Sequence, residues 1–275
     1  MEKNKSSATS FGVASLRAAH QLLDGEPKLL NDPVILPLLG PAFEDQLRQH
    51  PDRFRAPASV WLRSHVVLRS RFAEDCLAGA YRRGVRQYIL LGAGLDTYAW
   101  RQPAELHELK IFEMDHPATQ EQKRQLLIRA GFKTPANLFF TPIDFEHATI
   151  AEALQEQPFD PDLPCFISWL GVMVYLTMTA IDAVFDWMFS LPSGSEMVLT
   201  FTQKRDHHPL RDRAAELGEP WQTFFTPEEL KEKLISCGFS SVHVLEPEEA
   251  WRTYYSGRTD DLPAPRHATI ARVIR

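Results

Sequence analysis

Short apolar runs of strand length alternate with helical stretches from Tyr81 onwards, and this alternation constrains the fold more than any other feature. The predicted strands cover residues 87–91, 110–114, 138–140, 165–169, 196–202, 241–245 and 268–274. The predicted helices cover residues 117–130, 149–156, 179–190 and 226–237. Strands that alternate with helices form a parallel sheet with helices on its faces. The pattern therefore predicts an α/β fold.

The last of these helices has clear start and stop signals. Thr226 is placed as the N-cap, Pro227 takes the first helical position and Glu229 stands three residues after the threonine. This is the pattern of a capping box. Gly238 follows at the position of a C-terminal glycine cap. We expect a helix bounded by these residues.

The first 80 residues differ, because they carry apolar residues at helical spacing and no convincing strand. One set of apolar residues suits a helix near residue 20 and a second set suits a helix near residue 70. These are Leu16, Ala19 and Leu23, and then Trp61, Val66, Leu68, Phe72, Ala73 and Leu77. We predict a helical cap at 1–80 and an α/β domain at 81–275. The cap either covers a bound ligand or only covers one edge of the sheet.

Composition excludes several classes of protein. The chain is 44% apolar and 24% charged, which is typical of a globular protein and not of a disordered one. Its 30 Lys and Arg against 36 Asp and Glu lack the basic excess of a nucleic-acid binder. No apolar run approaches the length of a membrane span, and we expect a soluble cytoplasmic protein. The 3 cysteines are widely spaced and give neither a disulfide framework nor a zinc signature.

A glycine loop follows the first predicted strand. Gly92 and Gly94 come directly after the apolar residues 87–91, where glycines let the backbone turn sharply and approach a ligand. A dinucleotide-binding loop needs a third glycine before a helix, but here Asp96 stands where a pyrophosphate would lie. A ligand with an adenosine and no phosphate fits better. S-adenosylmethionine is the commonest such ligand.

Two further acidic residues end the next two predicted strands. Asp115 lies about 20 residues after the glycines, at the spacing of an acid that accepts from ribose hydroxyls. Asp144 follows the third strand beside the apolar Phe145 and could accept from an adenine amino group. Ligands of open α/β sheets bind at the carboxyl ends of the strands. The three acids together favour an adenosine ligand, although each alone also fits an exposed turn.

Four blocks of the sequence, at 69–71, 84–97, 112–117 and 142–145, resemble the leucine carboxyl methyltransferase family. More closely, they resemble its bacterial branch of S-adenosylmethionine-dependent O-methyltransferases. The likeness runs from about residue 11 to the end of the chain. It implies a class I methyltransferase fold, which is a Rossmann-like, seven-stranded and mostly parallel sheet with an antiparallel last strand, plus an N-terminal helical cap.

The resemblance also implies roles for individual residues. Asp115 would bind ribose, Asp144 and Phe145 would hold adenine, and Gly92 would lie under the methionine part. One of Arg69 and Arg71 would pair with the cofactor carboxylate. The full predicted cofactor site comprises Arg69, Arg71, Gly92, Ala93, Gly94, Asp96, Glu113, Asp115, Asp144, Phe145, Trp169 and Leu170. Leu170 is a departure, because many relatives carry a glutamate there.

The sequence leaves the acceptor chemistry open. A carboxylate is ionised at neutral pH and needs no base, whereas a hydroxyl needs a group that takes its proton. A carboxylate would favour the arginines and a hydroxyl would favour a histidine. The catalytic candidates are Tyr175, Arg205, His207, Tyr254 and Tyr255, with His208 and Arg258 beside them. The adjacent histidines also fit an exposed loop, and the paired tyrosines also fit a packed helix face.

Three functions remain open from these residues. The leading one is an S-adenosylmethionine-dependent methyltransferase that acts on oxygen of a carboxylate or hydroxyl, in a small molecule or a peptide. The second is an NAD(P)-dependent oxidoreductase of doubly wound fold, which Asp96 in the glycine loop disfavours. The third is a cofactor-binding protein without catalytic activity, for which Leu170 is the hint. The sequence does not indicate an oligomeric state.

Overall fold

A computed structural model describes residues 7–204, 209–216 and 218–275. The strands are β1 (Gln87–Leu91), β2 (Lys110–Asp115), β3 (Leu138–Pro142), β4 (Cys165–Trp169), β5 (Glu196–Thr200), β6 (Ser241–Val244) and β7 (Ile270–Ile274). They form one seven-stranded sheet in the order β3-β2-β1-β4-β5-β7-β6. Strands β1 to β5 are parallel, and β7 runs antiparallel to both β5 and β6. The predicted mostly parallel sheet with an antiparallel last strand is confirmed.

Helices precede the sheet and connect its strands. The first group is α1 (Ala8–Leu23), α2 (Ile35–Leu39), α3 (Pro41–Gln49), α4 (Asp52–Arg55) and α5 (Pro57–Arg82). The second group is α6 (Tyr98–Arg101), α7 (Pro117–Arg129), α8 (Ile150–Leu154), α9 (Met178–Ser190), α10 (Pro209–Glu216), α11 (Pro227–Ser236) and α12 (Pro247–Ala250). A π-helical turn, Trp251–Tyr255, continues α12. Among the described helices, none combines the length and apolar character needed to cross a bilayer.

The two faces of the sheet are covered by different helices. Alternate side chains of a strand point to opposite faces, so a strand that is apolar throughout buries both. In β1, Ile89 and Leu91 pack in a core with residues of α8, α9 and α11. Tyr88 and Leu90 pack in the opposite core with residues of α5. The long helix α5 is therefore fixed along one face of the sheet.

The remaining cap helices pack on each other and on the loop after β1. Ala14 and Ala18 of α1 share an apolar cluster with Ile35 of α2, Leu47 of α3 and Leu95 of the glycine loop. This cluster fixes α1 next to the glycine loop. Helix α5 extends to Arg82, two residues beyond the predicted end of the cap.

The capping signals of the late helix are confirmed. The Thr226 hydroxyl accepts a hydrogen bond from the Glu229 N–H (3.1 Å), and the Glu229 carboxylate accepts one from the Thr226 N–H (2.8 Å). Gly238 follows with φ of 92°, a backbone conformation that favours glycine. Local hydrogen bonding in this segment therefore sets the ends of α11.

Candidate functional site

A cavity of 1730 Å³ opens between the carboxyl ends of the strands and the helical cap. It lies where the strand order reverses. β1 and β4 are neighbours in the sheet, but the chain continues from β1 to β2 on one side and from β4 to β5 on the other. Ligands of open α/β sheets bind at such a switch point. A typical site for a small ligand has about 300–1,000 Å³, so this cavity can hold two ligands side by side.

The glycine loop forms part of the cavity wall. Gly92 has φ of 69° and Gly94 has φ of 51°, both in the left-handed region that favours glycine. A Cβ on Gly92 would lie 2.2 Å from a methyl group of Val172. The Gly92 and Ala93 N–H groups donate to the Met114 carbonyl, which ties the loop to the end of β2. Glycine is thus required at Gly92 by both conformation and space.

Asp115 lies at the end of β2 with its carboxylate against the loop. One oxygen accepts a hydrogen bond from the Gly94 N–H and the other from the His116 N–H at 2.6 Å. Burial raises the pKa of this carboxyl above its ordinary value, against the effect of the two backbone donors. The carboxylate lines the cavity in a fixed orientation, with lone pairs left to accept from a ligand.

Asp144 and Phe145 line the cavity just after β3. The Asp144 carboxylate accepts from the Glu146 N–H (3.1 Å) and contacts His147 (3.2 Å). Burial raises the pKa of Asp144, but these two hydrogen bonds together with the electrostatic effect of His147 and His116 outweigh burial, and the net shift is downward. Asp144 therefore presents an ionised carboxylate beside an aromatic ring.

Asp96 also lines the cavity, but its carboxylate has other partners. It accepts from the Tyr98 N–H at 2.7 Å and pairs with Arg17 of α1 at 3.3 Å. Arg17 in turn is bonded to the buried Asp32 and to Thr97. Asp96 thus links the glycine loop to the cap helix α1, a contact that the sequence does not reveal.

Arg69 of α5 brings a cation into the cavity. Its guanidinium lies against the backbone just after β4, where a Cβ on Gly171 would be 2.5 Å from Nη1. Burial lowers the pKa of Arg69 to about 10, so it stays charged at neutral pH. Among the described residues, no carboxylate lies within 4.0 Å of this guanidinium. Arg69 is therefore able to bind an anion.

The structure does not bring three predicted site residues to the cavity. Glu113 points away from it and forms a buried ion pair with Lys123 (2.5 Å). Trp169 is fully buried in the core against Phe185, because its side chain points to the α9 face of the sheet. Arg71 lies on the exposed side of α5 and pairs with Asp75 at 2.9 Å. Ala93 and Leu170 both line the cavity.

Of the catalytic candidates, Tyr175 lines the cavity. Burial raises the pKa of its phenol, against the effect of the nearby Thr9 and Trp221 side chains. Tyr175 therefore stays protonated at neutral pH. Tyr254 instead donates to Asp75 (3.1 Å) on the surface, and Tyr255 is bonded to Ser64 (2.7 Å) inside the protein.

The other predicted catalytic side chains take no described part in the site. Arg205, His207 and His208 lie outside the described residues. Arg258 pairs with Asp260 (2.6 Å), away from the residues that line the cavity.

Several cavity residues carry no sequence signal of their own. His65 and Trp61 of α5, Arg266 before β7, and Glu219 after α10 all line the cavity. Burial and the nearby Arg69 hold the pKa of His65 far below its ordinary value, so its imidazole is neutral. The four-residue spacing of Trp61, His65 and Arg69 could have indicated one helix face. Arg266 and Glu219 reach the cavity only through the tertiary fold.

The comparison with known families identifies the family of this chain. The sequence profile described as leucine carboxyl methyltransferase matches residues 10–189. The chain belongs to the leucine carboxyl methyltransferase family. One relative, from Bacillus subtilis, carries the name S-adenosyl-L-methionine-dependent methyltransferase YktD. It is 30% identical over 96% of this chain and 96% of its own length. Another, an S-adenosyl-L-methionine-dependent methyltransferase by name from Mycolicibacterium paratuberculosis, is 32% identical over 77% of this chain and 83% of its own.

A solved structure supports the fold. A DUF574 family protein from Streptomyces avermitilis is 17% identical, covers 95% of this chain and 97% of its own, and has a TM-score of 0.55. With the sheet order, this confirms the class I methyltransferase fold. As a leucine carboxyl methyltransferase family member, the protein is an S-adenosylmethionine-dependent methyltransferase. The family assignment therefore does not support the alternative function of an NAD(P)-dependent oxidoreductase.

The cavity fits this cofactor in two respects. The oriented Asp115 carboxylate can accept from a diol. The charged Arg69 can bind a carboxylate, for which a guanidinium is well shaped. The chain thus offers a complementary group for the ribose and for the carboxylate of S-adenosylmethionine.

Proposed function

We propose that the protein transfers a methyl group to oxygen, on a carboxylate or hydroxyl of a small molecule or peptide. The observation that carries this proposal is a set of unpaired arginines in the cavity. Arg53, Arg69 and Arg266 have no carboxylate partner among the described residues. These guanidinium groups can bind an anionic or neutral oxygen acceptor, but not an amine, which is cationic at neutral pH.

In the proposed site, the chain's residues bind and orient the cofactor. Asp115 accepts from the ribose hydroxyls, and Asp144 with Phe145 holds the adenine. Arg69 pairs with the carboxylate, and Gly92 leaves room for the methionine part. Bound there, S-adenosylmethionine supplies an electrophilic methyl group on a sulfonium. What the protein adds is alignment of the acceptor oxygen and exclusion of water.

The cap helix α1 completes the enclosure. Glu219 accepts hydrogen bonds from the Ala8 N–H (3.1 Å), the Thr9 N–H (3.3 Å) and the Thr9 hydroxyl. The Ser7 N–H donates to Thr119 of α7 at 3.1 Å. We infer that these contacts, here called the α1 latch, hold the N-terminus of α1 closed over the cofactor. Closed sites of this kind exclude water from the reaction.

The two oxygen acceptors place different demands on the site. A carboxylate reacts as an anion and releases no proton, so orientation by the arginines is sufficient. A hydroxyl must lose a proton, and the low pKa of the neutral His65 imidazole in the cavity makes it a weak base for this step. Tyr175, whose pKa is raised, is a hydrogen-bond donor in either case.

Identification of the methylated product tests the proposal. The purified full chain is incubated with methyl-labelled S-adenosylmethionine and a fractionated pool of metabolites and peptides. A methyl ester releases labelled methanol in mild alkali, and a methyl ether does not. Either product supports oxygen transfer. Label recovered on nitrogen or carbon, or no transfer to any fraction while the cofactor binds, would refute it.

A further inference from the structure

Three residues of helix α5 line the cavity, and only one of them, Arg69, has a proposed contact with the cofactor. Trp61, His65 and Arg69 are spaced by four residues and all line the cavity, so they share one face of the helix. Trp61 and Arg69 are two turns apart, which is about 12 Å along the axis. Arg69 contacts the backbone at the end of β4, so Trp61 marks the opposite, outer part of the cavity.

The outer part of the cavity combines aromatic rings with exposed cations. The Arg266 guanidinium stacks over the Trp61 ring, with Cζ 4.2 Å from the ring centroid. Arg53 lies near the Phe54 ring at 5.7 Å. A guanidinium that stacks on an indole keeps its N–H edge free to bind a carboxylate or another planar anion.

The cavity carboxylates lie apart from the outer arginines. Asp96 pairs with Arg17, and Glu219 accepts from α1. Within residues 7–204, 209–216 and 218–275, no carboxylate forms an ion pair with Arg53 or Arg266. An anion from outside the chain would therefore meet guanidinium groups that no carboxylate of the described chain has engaged.

We propose that Trp61, His65 and Arg266 form the acceptor subsite, and that this subsite takes an elongated molecule with a flat apolar body and an acidic end. The acidic end binds Arg266, the body lies against Trp61, and the oxygen to be methylated reaches the His65 and Arg69 end. The acid is an anchor and is distinct from the reacting oxygen. This assignment rests on the proposed oxygen transfer.

A pair of isosteric probes tests the subsite by binding alone. The probes are 4′-hydroxybiphenyl-4-carboxylate and its neutral 4-carboxamide, titrated calorimetrically into the full chain saturated with S-adenosylhomocysteine. We expect the acid to bind at least about tenfold more tightly than the amide, as loss of one charged contact would give. In Arg266→Gln the ratio of the amide's dissociation constant to that of the acid should fall to about one. Arg252→Gln, an exposed arginine outside the cavity lining, should keep the wild-type ratio.

Trp61→Ala tests the ring contact. We expect it to weaken both probes, and the acid at least as much as the amide, because both lose the ring contact and Arg266 also loses the ring on which it stacks. Each variant must bind S-adenosylhomocysteine as wild type does, which shows that it is folded. The subsite is refuted if wild type binds neither probe, if it binds both equally, or if the preference survives Arg266→Gln. None of these results would affect identification of the methylated atom in the product assay.

Discussion

Arg69 and Arg71 are two basic residues, two positions apart on one helix, that the fold places in different surroundings. A separation of two residues rotates the second side chain by about 200° around the helix axis. Arg69 consequently enters the cavity and lies against Gly171, whereas Arg71 reaches the surface and pairs with Asp75. The sequence left the choice between them open. Only the packing of α5 against the sheet decides which of the two faces the site.

The first residue-scale prediction concerns Arg69. Arg69→Gln should weaken binding of S-adenosylhomocysteine by about 10- to 100-fold, because a hydrogen bond to a charged group is worth ~1.5–3 kcal/mol. Binding of 5′-methylthioadenosine, which has no amino-acid carboxylate, should change little. Calorimetric titration of both ligands measures the two affinities.

Two matched variants complete the Arg69 experiment. Arg71→Gln on the exposed side of the same helix should leave both affinities unchanged. Asp115→Asn should weaken both ligands, because each contains the ribose. An equal loss of both ligands in Arg69→Gln would contradict the assignment of Arg69 to the carboxylate.

Gly92 provides a second residue-scale prediction. Gly92→Ala places a Cβ at φ of 69° and 2.2 Å from a Val172 methyl group. Left-handed backbone costs about 1–2 kcal/mol and overpacking about 1–3 kcal/mol, so we expect a loss of about 2–5 kcal/mol of unfolding free energy. Gly131→Ala has a similar φ of 75° and nothing within 4 Å. It should lose only about 1–2 kcal/mol. Urea denaturation measures both, and equal losses would show that the Val172 contact is unimportant.

At the scale of elements, the buried strands could be predicted and much of the site could not. Strands β1 and β4 are mostly apolar and are buried along their whole length, and the sequence predicts the first and last residue of each. The predicted β5 runs two residues too far, because Phe201 and Thr202 are apolar or β-branched but no longer pair with β7. Arg266 and Glu219 belong to loops, whose placement depends on contacts distant in sequence.

The α1 latch gives the element-scale prediction. Glu219→Gln replaces a charged acceptor of three hydrogen bonds by a neutral amide. If α1 closes over the cofactor, its N-terminus should open more often. We therefore expect labelled S-adenosylhomocysteine, chased with unlabelled ligand, to dissociate about tenfold faster, since ~1.4 kcal/mol corresponds to a factor of ten. Glu216→Gln, on the exposed surface of α10, is the control. An unchanged dissociation rate would show that α1 does not control ligand release.

At the scale of the whole molecule, the net charge of the chain does not reveal how charge is distributed in the cavity. The chain carries −6 at neutral pH, and five carboxylates and four arginines line the described cavity. Three of these arginines, Arg53, Arg69 and Arg266, form no ion pair among the described residues. The overall acidity could be read from the sequence, but the separation of these arginines from the cavity carboxylates depends on the fold.

Stability as a function of pH tests another property of the folded protein, the burial of His20 of α1 against the loop before α2. Its Nε2 accepts from the Leu30 N–H (3.3 Å) and its Nδ1 bonds to Asp24 (2.7 Å), so the imidazole is neutral in this arrangement. Burial lowers the pKa of His20 below its ordinary value of 6.5, against the effect of Asp24. The unfolded chain therefore binds a proton at His20 more readily than the folded protein does. The stability that neutral His20 contributes is complete above pH 6.5 and is lost as pH falls below it.

The corresponding prediction is a difference between two proteins, because other groups titrate in the same range. Burial raises the pKa of Glu113 to about 7, and this group favours the folded state as pH falls. Its contribution is common to wild type and His20→Gln and cancels. The excess stability of wild type over His20→Gln should be constant above pH 6.5 and decline by up to about 1.4 kcal/mol per pH unit below it. Urea denaturation from pH 5 to 8 measures this excess, with the exposed His107→Gln as control. An excess that does not change with pH would mean that His20 is protonated equally in the folded and unfolded states.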